Sequence, residues 1–125
     1  MMQDLDHKLK KAVSLHGQGK VSNAIVVYQE ILDSDSRHFG ALQHLGIAKI
    51  QIGDGEEGIR LLKRAVSINP KNSQAHYNLG LAWRNDGNKQ KAQASFRRSI
   101  AIQPENFQAQ NSLAGILLEY PDKLK

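Results

Sequence analysis

Cysteine is absent from this chain of 125 residues, which excludes disulfide bonds and thiol chemistry. Aromatic residues are scarce, at 6% of the sequence, and only three residues are proline. No apolar run approaches the roughly 18 residues that a membrane-spanning helix needs, and the first residues contain no apolar signal-peptide region. If Met1 is the true start, we expect a cytoplasmic protein without a membrane span. The other interpretation is a fragment cut from a longer protein.

The remaining composition is that of a folded domain. Hydrophobic residues make up 40% of the chain and charged residues 23%, which is enough apolar material for a core. The length suits one domain, over residues 1–125. The formal net charge is +5. Because acidic residues are interspersed throughout, we interpret this mild basic bias as an aid to solubility, with anionic partners as the other interpretation.

A repeat with a period of 34 residues organises the sequence. Five series of small or apolar residues keep this step, and so does a sixth series in which serine is followed by two prolines. Such agreement does not arise by chance, and it predicts three tandem structural units. The series are Gly19, Gly53, Gly87; Ala24, Gly58, Ala92; Tyr28, Leu62, Phe96; Leu45, Leu79, Leu113; Gly46, Gly80, Ala114; and Ser36, Pro70, Pro104.

Each unit is predicted to form two helices joined by a turn. In the third unit, apolar residues recur at helical spacing, Gly87 interrupts them, and Pro104 stops the second helix. Asn72 and Asn106 are expected to cap the helices that follow them. We therefore predict an all-α superhelix of stacked hairpins, with a last helix that begins a fourth unit. The units are placed at about 5–38, 39–72 and 73–106, and the last helix at about 107–119.

The repeated residues resemble the tetratricopeptide repeat, whose pattern includes leucine-glycine, an aromatic residue, alanine, a second aromatic residue and proline. The second unit departs from this pattern at Lys49 and Gly58, and the first keeps mainly Ala24 and Tyr28. The resemblance covers about residues 5–119. It implies a scaffold that binds peptides or proteins along a concave face lined by the first helices, although fold alone does not give function. The third unit carries the fullest match, Leu79-Gly80-x2-Trp83, Ala92-x3-Phe96 and Pro104.

Alignment of the first helices predicts which residues line the concave groove. The apolar members form a strip with polar flanks, and exposed apolar patches mark interaction sites. The other interpretation is that part of the strip packs between adjacent first helices. The predicted groove residues are Leu9, Lys10, Val13, Gln43, His44, Ile47, Ile50, Tyr77, Asn78, Leu81 and Arg84.

The resemblance also bears on one known ligand class. Some tetratricopeptide domains bind chaperone tails through a clamp of lysines, asparagines and an arginine on their first helices. We do not expect that specificity here, because the corresponding places lack the clamp's lysines and arginine. They hold Leu9, Val13, His44, Gln74 and Asn78.

No motif predicts catalysis, a metal or a cofactor. Residues 53–58 fit the spacing G-x-G-x-x-G, but a helix precedes them and three carboxylates among them would repel a phosphate, so we predict a turn. A calcium-loop-like start at Asp33 fails because His38 occupies the required glycine position. The five histidines form no zinc-binding spacing. We therefore expect no enzymatic activity.

The basic residues form three small groups, and we expect a solvated surface there. Nucleic-acid binding needs a denser basic stripe, and single-strand binding also needs stacking aromatics, which are committed to the core here. We therefore do not expect nucleic acid as a partner. The groups are Arg60, Lys63, Arg64; Arg97, Arg98; and Lys8, Lys10, Lys11.

The last helix is predicted to lack a second helix of its own, yet it keeps apolar residues where that helix would lie. Bare repeat ends are usually polar. We therefore expect this end to be covered, either by more chain in a longer protein or by another copy in a homodimer. The residues concerned are Leu113, Ala114, Ile116, Leu117 and Leu118.

These observations favour a protein-interaction module that holds a peptide segment or helix of a partner in its groove. One alternative is a targeting or substrate-recruiting domain at the N-terminus of a larger enzyme, since arrays resembling this one precede glycosyltransferase and methyltransferase domains. A third class, a binder of anionic surfaces or nucleic acids, would reveal itself by steeply salt-dependent binding.

Overall fold

The computed structural model describes residues 2–119, with side chains from residue 4 onward. Within that range the chain forms seven α-helices and no strand, which confirms the all-α prediction. Residue 1 and residues 120–125 of the predicted domain lie outside the described residues. The helices are α1 (Met2–Gly17), α2 (Val21–Ser34), α3 (Phe39–Gln51), α4 (Gly55–Ile68), α5 (Ser73–Asn85), α6 (Lys89–Ile102) and α7 (Phe107–Glu119).

The helices stack in chain order. The most extensive contacts join α1 to α2, α3 to α4 and α5 to α6, so each of these pairs is a hairpin. Each hairpin then packs on the next, and the first helices contact one another directly, α1 with α3 and α3 with α5. This pattern of neighbour-only contacts defines a solenoid, in which stacking buries apolar faces that no single hairpin could bury alone.

Glycine turns and polar caps explain where the helices end and begin. Gly53, between α3 and α4, has a φ of 91°, and Gly19 and Gly87 have φ angles of 82° and 86° at the same place in their units. Such left-handed backbone favours glycine, which accounts for their even spacing. At the next boundary, the side chain of Asn72 accepts a hydrogen bond from the Ala75 amide at 2.8 Å. Asn106 caps α7 in the same way, so both predicted caps are confirmed.

Small residues bring the two helices of a hairpin into close contact. A methyl group added at Gly58 on α4 would lie 2.7 Å from the carbonyl oxygen of Gly46 on α3. One added at Gly80 on α5 would lie 2.5 Å from the ring of Phe96 on α6. The bulky residues at the third repeat series, Tyr28, Leu62 and Phe96, are completely buried. Small and large side chains therefore alternate across each hairpin and fill the core.

A polar network also joins the third hairpin to α7. Ser73 and Ser99 exchange hydrogen bonds of 2.8 to 2.9 Å, and Ser99 is completely buried. The side-chain amide of Asn106 donates to both hydroxyl oxygens, at 3.1 and 3.0 Å. Because buried polar groups need partners, this network stabilises the position at which α7 starts. The sequence analysis did not predict it.

Candidate functional site

A cleft of about 260 Å³ lies on the concave face between α3 and α5. Four of the predicted groove residues line it, namely Ile47, Ile50, Asn78 and Leu81. The 34-residue repeat places them there, because it aligns successive first helices side by side. The remaining lining residues are Gln51, Ala82 and Asn85.

The predicted apolar strip divides into exposed and half-buried members. Val13 and Leu81 keep 38% and 37% of their surface exposed. Leu9, Ile47, Ile50 and Tyr77 are half-buried. Of the predicted polar flank, Lys10 and Arg84 are exposed, while Gln43 and His44 are half-buried. The strip is therefore accessible mainly at Val13 and Leu81, and partly at the other positions.

Three members of the strip also hold the solenoid together. Leu9 on α1 packs against Gly40 on α3, where an added methyl group would lie 2.8 Å from the Leu9 side chain. Ile50 on α3 lies against Gly58 on α4, where an added methyl group would come within 2.5 Å of the Ile50 side chain. Tyr77 packs beside the ring of Phe96, with ring centres 5.8 Å apart. Changes at these positions would therefore disturb the fold as well as the groove.

Carboxamide side chains surround the cleft. Asn78 is almost completely buried and accepts a hydrogen bond from Gln74 at 3.0 Å, so it is a wall of the cleft and not a freely exposed contact residue. Gln51 and Asn85 stand on the rim, exposed to solvent. The sequence analysis missed both, although they are 34 residues apart and lie in the last turns of α3 and α5. The alignment of first helices, extended by one residue beyond Ile50 and Arg84, would have found them.

A cluster of aromatic and histidine side chains lies beside the groove, between the first and second units. His16 Nδ1 is 3.1 Å from the Tyr28 hydroxyl, and His16 Nε2 is 2.5 Å from the side-chain oxygen of Gln51. His44 stacks on Tyr28, with ring centres 5.9 Å apart and planes nearly parallel. Burial raises the pKa of Tyr28 to about 12. Burial, and then the nearby His16, lower the pKa of His44, so its neutral form is favoured.

The two helices that form the cleft carry no carboxylate. Neither α3 nor α5 contains aspartate or glutamate, and each has one lysine or arginine, Lys49 or Arg84, in its last turn. The described residues also contain no group of three metal-binding side chains. The cleft therefore offers apolar contact and carboxamides for hydrogen bonding, and its two helices add no negative charge.

The basic groups on the second helices are partly engaged in local contacts. Arg60 pairs with Glu57 at 2.5 and 2.9 Å, and this hydrogen bond lowers the pKa of the Glu57 carboxyl. Arg64 donates to the backbone oxygen of Ser36 at 2.6 Å. These contacts fix the turn after α2 and the start of α4, which is a structural use of the charges.

One face of α7 is exposed and the other is in the core. Ile116 is completely buried and Leu113 is half-buried in the same cluster with Phe96. Ile116 therefore belongs to the core and not to a contact surface, because it faces α6 one turn after Leu113. On the opposite face, Leu118 and Phe107 are 75% and 69% exposed. Ala114 is also exposed, and Leu117 is half-buried.

A family model for the tetratricopeptide repeat matches residues 44–107, about half of the chain. The chain belongs to the tetratricopeptide repeat family. No curated protein matches it significantly. None of the helices within residues 2–119 is long and apolar enough to cross a membrane.

Solved structures with the same fold come from proteins of different kinds. The first tetratricopeptide domain of Spaghetti (RPAP3), bound to the HSP90 peptide SRMEEVD, has a TM-score of 0.88 at 22% identity, over 94% of this chain and 93% of that one. The chaperone SycD of the Yersinia enterocolitica type III secretion translocator has a TM-score of 0.86 at 14% identity, over 94% of each chain.

A third structure belongs to a much longer protein. A mutant O-GlcNAc transferase from Thermobaculum terrenum has a TM-score of 0.87 at 24% identity, over 90% of this chain. The match covers only 22% of the transferase. At these identities the likeness establishes the fold alone.

Proposed function

We propose that this chain is a protein-interaction scaffold that holds a peptide segment or a helix of a partner protein in its concave groove, and that it has no catalytic activity of its own. The observation that carries this proposal is the cleft between α3 and α5, where the apolar side chain of Leu81 stays 37% exposed among carboxamides. An apolar residue of the partner that fills the cleft would remove its own surface and the exposed surface of Leu81 from water. Full burial of one such side chain stabilises a complex by about 1.5–3 kcal/mol.

The polar residues around the cleft would set the direction and register of the bound segment. Asn85 stands where it can donate to and accept from a partner backbone, and the side-chain nitrogen of Gln51, whose oxygen contacts His16, can donate to one. Arg84 and Lys10 are exposed at the flanks and attract acidic groups, while Asn78 forms part of the wall and His44 lies beside the groove, stacked on Tyr28. Since α3 and α5 lack carboxylates, a neutral or acidic segment meets no repulsion from them.

Binding of HSP90-type tails is not part of the proposal. The similar RPAP3 domain holds the peptide SRMEEVD, but the places of the lysine, asparagine and arginine clamp are occupied here by other side chains. We expect that peptide to bind this chain weakly. The residues at those places are Leu9, Val13, His44, Gln74 and Asn78.

The decisive experiment selects a ligand and then maps it. Random twelve-residue peptides displayed on phage are selected on the purified chain, and the best peptide is measured by fluorescence anisotropy, with SRMEEVD as a comparison. Leu81→Glu should weaken binding of the selected peptide about tenfold or more, because it places a charge in the apolar cleft. The matched control is Val26→Glu, at an exposed apolar side chain on α2. Equal binding of the selected peptide by the wild type, Leu81→Glu and Val26→Glu chains would contradict the groove proposal.

A second candidate function is a targeting or substrate-recruiting domain within a larger enzyme. It is favoured by the similarity to a transferase of which the match covers only 22%. The same groove would then bind the protein substrate of the attached enzyme. Reading the gene beyond the codon for Lys125 separates the two candidates, and the isolated chain should turn over no substrate in either case.

The exposed face of α7 is a second contact surface in this proposal. It is covered either by further chain or by another copy. The apolar side chains that remain available for this are Ala114, Leu117 and Leu118, with Leu113 at the edge.

A further inference from the structure

The exposed face of α7 corresponds to the face of α3 that packs against α4 and the face of α5 that packs against α6. Ala114 lies one 34-residue repeat after Gly80 and two repeats after Gly46. Leu118 stands in the same way two repeats after Ile50. Phe107, also on this face, stands one repeat after Ser73, which is buried and hydrogen-bonded to Ser99 of its own second helix.

The hairpin of α3 and α4 shows how this face packs when it is covered. A methyl group built at Gly46 would lie 2.7 Å from Cγ of Leu62, so the small residue of α3 faces the large residue of α4. One built at Gly58 would lie 2.5 Å from Cγ1 of Ile50, so the large residue of α3 faces the small residue of α4. The two helices therefore fit reciprocally, because each carries a small residue and a large one four positions later.

The same arrangement is present on α7 alone. Ala114 is followed four positions later by Leu118, which matches the pattern of α3 (Gly46 and Ile50) as well as that of α4. A face of this kind is complementary to itself when two copies run antiparallel, since the small residue of each copy then meets the large residue of the other. Self-complementarity of one patch is the requirement for a two-fold symmetric interface.

The charges favour this end of the solenoid over the other. No charged residue occurs from Phe107 to Leu118, although 23% of the chain is charged and its net charge is +5. Glu119, just beyond, pairs with Lys89 of α6 at 2.7 Å. At the opposite end, Lys8 and Lys11 stand one repeat before the buried Leu42 and Leu45, and Lys8 pairs with Glu30 of α2 at 3.4 Å. Two copies can therefore meet through α7 without like-charge repulsion, whereas the end at α1 is charged.

We propose that a second copy of this chain covers α7, with the two α7 helices antiparallel and Ala114 of each copy against Leu118 of the other. The second copy of α7 then takes the place that α4 and α6 occupy in their hairpins. This inference rests on the proposal that the α7 face is a contact surface, and it is independent of ligand binding in the groove.

The first test is the mass of the full chain in solution. Light scattering after size exclusion, over a range of concentrations, should give a dimer for the wild type. Leu118→Glu should raise the dimer dissociation constant at least about tenfold, because the interface would bury a charge. The circular dichroism spectrum of this variant should stay helical and unchanged. Val26→Glu, at the other end, should leave the dimer intact. A wild type that is monomeric at all concentrations, or a dimer unaffected by Leu118→Glu, would overturn the inference.

The second test measures the register directly and uses the absence of native cysteine. Ala114→Cys and Leu118→Cys chains are mixed under mild oxidation. In the proposed dimer, position 114 of one chain faces position 118 of the other, so the two cysteines face each other only in a dimer of one Ala114→Cys chain and one Leu118→Cys chain. The mixed sample should therefore form disulfide-linked dimers several times faster than either variant by itself. Preferential linking between Phe107→Cys and Leu118→Cys chains would overturn the proposed register. Peptide binding by the monomeric Leu118→Glu chain tests the groove separately, so failure of one proposal is distinguishable from failure of the other.

Discussion

Substitution of Gly58 by alanine tests the close contact between α3 and α4. Alanine is favoured over glycine within a helix by about 1 kcal/mol, so propensity alone predicts a gain in stability. The added methyl group would, however, lie 2.5 Å from Ile50 and 2.7 Å from the Gly46 carbonyl oxygen. The second neighbour is backbone, which cannot move aside cheaply, and overpacking of a core costs about 1–3 kcal/mol. Because the clash is with backbone, we take the upper end of this range, about 3 kcal/mol, and subtract the gain of about 1 kcal/mol from propensity, so Gly58→Ala should lower the free energy of unfolding by about 2 kcal/mol.

Urea unfolding followed by circular dichroism measures this change. With a denaturant dependence of about 2 kcal/mol per molar, the midpoint should fall by about 1 M. The matched control is Gly115→Ala on α7, where a methyl group would have no neighbour within 4 Å. Propensity should dominate there and raise stability by about 0.5–1 kcal/mol. A Gly58→Ala protein as stable as the wild type would refute the reasoning, because it would mean that the hairpin relaxes without cost.

Two further predictions follow from polar groups. Asn106→Ala should lower the free energy of unfolding by about 2 kcal/mol in urea, since it removes the cap of α7 and leaves the hydroxyls of Ser73 and Ser99 with fewer partners. Stability should also fall as the pH is lowered from 7.5 to 5.5. Burial lowers the pKa of His44 below its unfolded value of about 6.5, so the unfolded chain binds more protons in this range. His44→Phe keeps the stack on Tyr28 and should flatten this dependence in thermal unfolding at each pH; an unchanged slope would assign it to another group.

The turn glycines and the core of the solenoid were predictable from the sequence. Local backbone geometry requires glycine at the turns, and close helix packing requires small residues facing large ones, so both leave marks that recur every 34 residues. Gly53 and Phe96 illustrate this, the first with its positive φ and the second with its complete burial. The accessible part of the groove was less predictable, because the position of a residue on a helix gives its direction but not how closely the next helix approaches it.

The sequence by itself determined the fold class, the repeat period and the helical face on which each repeated residue lies. Periodicity and turn chemistry are properties of the chain and need no knowledge of distant contacts. Only the tertiary structure decided that Ile116 is buried while Leu118 is exposed, and that Asn78 is a wall of the cleft. It also brought Asn106 onto the Ser73 and Ser99 hydroxyls. These outcomes depend on the distance and angle between stacked hairpins, which many side chains set together and no single motif encodes.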